Sequence, residues 1–99
     1  MEASPATLKL VSAYSKNYGV RDRVEATIRV HLGPEQFRYL HGRVYLLATS
    51  ASPTEIQAWL QPALDEGDSL FVAEIANWTS IGPTTDRVWM ATHEATSSA

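Results

Sequence analysis

SPTEIQAWLQPALDEGDSLFVAEIA, from Ser52 to Ala76, reads as a helix, a turn and a strand, and this order sets the class of the fold. Ser52 is a strong N-cap, and Pro53 carries the φ of a first helical residue. Glu55 stands where its carboxylate reaches back to complete a capping box. Ile56, Trp59, Leu60 and Leu64 share one apolar stripe. Pro62 has no amide hydrogen and clashes with the carbonyl of Ala58, so the last turn is expected to kink or turn irregular. Asp65-Glu66-Gly67-Asp68 is a turn. Ser69 to Ala76 is mostly apolar, which predicts an interior strand covered on both faces.

On the N-terminal side, Leu8 to Tyr14 alternates loosely and is rich in β-formers, so it predicts a first strand. Ser15 to Gly19 is a polar loop. Asp22 with Glu25 three residues on has the form of another capping box. Val24, Ile28 and Leu32 then give a helix one apolar face, which Gly33-Pro34 ends. Phe37 to Leu40 and Arg43 to Thr49 read as two strands. The His41-Gly42 step between them fits a tight hairpin or a bulge, and both readings stay open. Past Ala76, Asn77 to Asp86 is loop. Arg87 to Ala91 reads as a short fifth strand, and residues 94–99 as a disordered tail.

The order is β-α-β-β-α-β, with both helices on one face of an antiparallel sheet. It predicts an α+β fold of the ferredoxin-like kind, a single domain over residues 1–93. Nothing further along the chain is expected to cover the other sheet face. A second copy is the economical cover, so a homodimer is expected.

Composition narrows the chemistry. Among 99 residues there is no cysteine, which excludes disulfides, thiolate zinc sites and cysteine nucleophiles. Met1 to Ala6 lacks the basic-then-apolar form of a signal peptide, and no apolar run nears the roughly 20 residues of a membrane helix. The expectation is a cytoplasmic protein with no membrane partner. Net charge is −3, unevenly spread. Residues 1–50 hold seven Lys and Arg against four acids, and Arg87 alone faces seven acids in the remainder. Such asymmetry marks a basic face for a polyanion, or a scatter that cancels once the chain folds.

No cofactor, metal or catalytic constellation stands out. His31, His41 and His93 lack ligand spacing. Asp65, Glu66 and Asp68 cluster without the order of a calcium loop, as a solvated turn does. Ser12, Ser15 and Ser50 have no base–orienter pair and no nucleophile elbow. The loop after the first strand is richer. Tyr14 and Tyr18 stand beside Lys16 and Asn17, and aromatics next to cations stack on bases and touch phosphates. With Arg21 and Arg23 at the helix start, Tyr14, Lys16 and Tyr18 form the expected nucleic-acid-binding set. Arg38 and Arg43 are secondary choices. Trp78 and Trp89 are candidates for a dimer contact.

The runs Ser52 to Ile56, Leu60 to Asp68 and Leu70 to Ile75, with Tyr39-Leu40 and Leu47-Ala48-Thr49, resemble the CRISPR-associated protein 2 family. The likeness is to its shorter relatives outside CRISPR loci and covers roughly residues 8–78. The resemblance implies a ferredoxin-like homodimer. In the family's nuclease members an aspartate ends the first strand, and paired copies hold a divalent metal that activates water. The matching position here is Ser15, a poor magnesium ligand. The resemblance therefore implies a non-catalytic binding or scaffold module that contacts nucleic acid. A metal-dependent endonuclease using displaced carboxylates is the alternative. A small-molecule enzyme of the dimeric α/β-barrel type is a further one.

Overall fold

The computed structural model describes residues 6–79, 81 and 87–97. Strand β1 (Thr7–Tyr14) leads into helix α1 (Tyr18–His31). Strands β2 (Phe37–His41) and β3 (Val44–Thr49) follow, then helix α2 (Pro53–Leu60), strand β4 (Ser69–Glu74) and helix α3 (Arg87–Ser97). The four strands form one sheet in the order β2-β3-β1-β4, and every neighbouring pair is antiparallel. The fold is α+β.

Helix α2 follows its sequence closely. Ser52 Oγ accepts from Glu55 N–H at 3.1 Å, and Glu55 Oε1 accepts from Ser52 N–H at 3.0 Å. The α-helix stops at Leu60, and Pro62 sits in a 3-10 turn over Gln61–Ala63. Helix α1 starts a turn earlier than its sequence suggests. Its N-cap is Asn17, whose Oδ1 accepts from Gly19 N–H at 2.9 Å, and not Asp22. Glu25 does not close a box with Asp22. It pairs with Arg29 at 3.0 Å and accepts from Tyr45 Oη–H at 3.3 Å. The β2–β3 connection combines both open readings. Gly42 turns the chain at φ +54°, and the register slips between Tyr39 and His41.

Strand alternation gives the sheet two different faces. On the first, Val11 and Ala13 of β1 and Tyr45 and Leu47 of β3 pack against Val20, Val24 and Ile28 of α1 and Ile56 and Leu60 of α2. Val11, Val24, Ile28, Leu47, Ile56 and Leu60 are all 0% exposed. Burying each such side chain stabilises the fold by about 1.5–3 kcal/mol. His31 stacks on Trp59 with ring centroids 4.1 Å apart, joining the end of α1 to α2.

Three expectations fail here. The fifth strand expected at Arg87 to Ala91 is the start of α3, which runs on to Ser97; Ser98 and Ala99 lie outside the described residues. Trp89, Met90 and His93 sit at i, i+1 and i+4, a helical spacing. Trp89 and Met90 bury against Leu8, Leu46 and Ala48, so the chain itself covers part of the second face. Trp89 Nε1–H donates to Glu35 O at 2.7 Å, and the Arg38 guanidinium lies 5.0 Å from its ring. Strand β4 is an edge strand, not an interior one. Its apolar run arises because Leu70 and Val72 pack with the first-face core and Ile75, just beyond, with the second-face cluster. Phe71 is left exposed.

Candidate binding surface at the end of the first strand

Strand β1 leaves the sheet at Tyr14, and the chain must turn sharply to begin α1 four residues later. Ser15 makes that turn. It is buried, and its Oγ accepts from Asn17 N–H at 3.0 Å. Asn17 then caps α1 and donates through Nδ2 to Asp65 Oδ2 at 3.2 Å. The Ser15 hydroxyl and carbonyl are both structural, since the carbonyl accepts from Arg43 Nη1.

Arg43 comes from the β2–β3 turn and anchors the cluster. Its guanidinium carbon lies 5.0 Å from the Tyr14 ring centroid and 5.8 Å from that of Tyr18. Both fall within cation–π range. The rings stay open to solvent, Tyr14 at 55% and Tyr18 at 82% exposure. Lys16 is exposed beside them and lines a cleft of about 240 Å³ with Asn17 and the Asp65–Asp68 turn. The result is a small platform of two aromatic rings with two cations.

Tyr14, Lys16 and Tyr18 thus come together as the sequence suggests, and Arg43, a secondary choice, joins them. The other expected residues do not. Arg23 Nη2 pairs with Asp65 Oδ1 at 2.8 Å, and Arg23 Nε–H donates to Ala63 O at 3.1 Å, so Arg23 fastens α1 to the turn after α2. Arg21 lies elsewhere, 4.5 Å from the Tyr39 ring centroid. A hydrogen bond with Tyr45 is the main cause that raises its pKa further, and its charge is locked in. Arg38 belongs to the second face beside Trp89. Residues two apart on a helix do not share a face, which separates Arg21 from Arg23.

No family model, curated protein or solved structure matches this chain. The chemistry of the surface has to be read from its own side chains. Among the described residues, no group of three His, Asp or Glu side chains converges as metal ligands do. In the acidic turn next to Lys16, Glu66 is exposed and lines the same cleft, while the two aspartates are engaged within the fold. Asp65 holds Asn17 and Arg23, and Asp68 Oδ2 accepts from Asp65 N–H at 2.7 Å.

Two buried polar groups lie outside this surface, and the sequence does not single them out. Lys9, 2% exposed, sits inward between Thr7 and Val11 on β1. Its Nζ donates to Thr7 Oγ1 and, at 2.8 Å, to Thr49 O, and lies 3.9 Å from Glu74 Oε1. Burial lowers its pKa, against the opposing pull of Glu74 and Glu55. The Tyr45 phenol is pushed up to about 12, first by burial and then by Glu25. Lys9 with Glu74 and Arg23 with Asp65 join the basic half of the sequence to the acidic half, so part of the charge asymmetry cancels in space.

Proposed function

We propose that this chain is a ferredoxin-like, non-catalytic binding module that takes single-stranded nucleic acid on Tyr14, Lys16, Tyr18 and Arg43. The observation that carries the reading is the pair of exposed tyrosine rings sharing the Arg43 guanidinium beside Lys16. Unpaired bases stack on such rings whatever their sequence, and the cations meet the phosphates. The element order and the strand order β2-β3-β1-β4 support the ferredoxin-like part of the proposal. Ser15 supports the non-catalytic part. It stands where the resembled nucleases carry a metal-binding aspartate, and here its hydroxyl serves the turn into α1. A second copy belongs to the proposal as well, because Phe71, outside the tyrosine platform, remains exposed on the part of the second face that α3 leaves bare.

Fluorescence anisotropy with labelled oligo-dT and oligo-rU tests the reading. Binding is expected at low salt, weakening steadily as salt rises because phosphate contacts release counterions. Tyr14→Ala and Tyr18→Ala are each expected to weaken it about ten-fold, the value of one stacked base. No binding at low salt removes the nucleic-acid part. Cleavage that needs magnesium or manganese and stops with chelator removes the non-catalytic part.

A further inference from the structure

The second sheet face carries a cleft of about 320 Å³, away from the tyrosine platform. Leu10, Leu40, Leu46 and Ile75 form its walls with Met90 of α3. Trp78 completes the lining together with the uncharged polar residues Asn77 and Thr79. The Trp78 indole nitrogen is shut off from water and has no hydrogen-bond partner. Buried indole N–H groups normally find an acceptor, because a donor stripped of water and left unpaired bears its whole desolvation cost.

From these features we infer that the cleft binds a neutral small molecule with an apolar body and one carbonyl-type oxygen, which accepts from Trp78 Nε1–H. Three properties of the site select that chemistry. The volume lies at the lower end of the range for small-molecule sites, so the ligand is compact. The walls are aliphatic, so its body is apolar. No charged side chain lines the cleft among the described residues, so a carboxylate or an ammonium would enter without a counter-charge. The indole N–H is closed to solvent in this structure, so the inference includes a turn of the Trp78 ring that brings the donor to the cleft when the ligand enters. A single unpaired donor beside a dry wall recognises one acceptor and little else.

The full chain is titrated with Prodan, a neutral naphthalene ketone, and separately with the anionic dye anilinonaphthalene sulfonate, while sedimentation follows the oligomeric state. The expected result is saturable binding of Prodan at one site, tighter than binding of the sulfonate. Trp78→Phe keeps an aromatic ring and deletes the donor, and it is expected to weaken Prodan about five-fold, the value of one ordinary hydrogen bond. Leu40→Glu places a charge in the lining and is expected to weaken it at least about ten-fold. Circular dichroism verifies that both variants fold. The inference is overturned by non-saturable binding, by equal affinity in Trp78→Phe, or by tighter binding of the sulfonate. It is also overturned if the chain sediments as a dimer that excludes Prodan, since a second copy then fills the cleft. None of these outcomes touches the tyrosine platform, so this inference and the nucleic-acid reading fail separately.

Discussion

The two faces of the sheet are built from the same strands but finished differently. On the first, α1 and α2 close over Val11, Tyr45 and Leu47, and the central side chains have almost no exposure. On the second, α3 covers Leu8, Leu46 and Ala48, while Tyr14 and Phe71 remain 55% and 63% exposed. The difference teaches that stability and recognition are divided between faces. The centre of the first face is filled by apolar contact between its helices and strands. The second has a dry cluster at one end and an open apolar surface beside it, where binding gains contacts that folding left unmade.

That contrast predicts a graded response to truncation. Ile28→Ala on the first face should cost about 3–4 kcal/mol, because a fully enclosed site cannot collapse onto the cavity. Met90→Ala on the second should cost about 2 kcal/mol, since its neighbours border an open cleft and can relax. Urea midpoints at constant slope measure both. Equal losses would break the comparison by showing the second face to be as tightly packed as the first.

A smaller effect is expected at Trp89. Trp89→Phe keeps most of the buried area and removes the hydrogen bond to Glu35 O, at a cost of about 1 kcal/mol in the same urea assay. No loss at all would mean that α3 holds to the sheet by area alone.

Another effect is confined to alkaline pH. The Tyr45 phenol titrates near 10 when unfolded and at about 12 when folded. Over that interval the native state binds the extra proton, so stability falls as pH rises. Lys9 has the opposite sign. Its folded pKa lies below 10.5, so raising the pH toward that value relieves the cost of burying its charge. Tyr45→Phe should therefore flatten the decline between pH 10 and about 12, as read from denaturation midpoints. An unchanged decline would place its cause elsewhere.

What could be read in the sequence was mostly local. The box at Ser52 and Glu55, the stop near Pro62 and the apolar stripes of α1 and α2 depend on neighbours within a turn, and they appear in the structure as written. The start of α1 was misread because Asp22 and Glu25 have the spacing of a box, while the actual cap is formed by Asn17 bonding two residues on. Strand β4 was misplaced because an apolar run looks alike at a sheet's centre and at an edge packed from both sides. Helix α3 was hidden because Val88 and Trp89 are also good strand formers, and tertiary burial decided between the two. At the binding surface, Tyr14, Lys16 and Tyr18 were legible as one loop. Arg43 reaches them only through the pairing of β3 with β1, which composition does not show. The unpaired indole of Trp78 has no signature short of the packed structure.

The sealed position of Lys9 makes the molecule its own stopwatch. The chain has two lysines, and Lys16 is exposed. An amine-acylating reagent should mark Lys16 at once. It should mark Lys9 only when the strand ends around Thr7, Thr49 and Glu74 part. The ratio of the two labels over time then counts how often that corner of the protein opens.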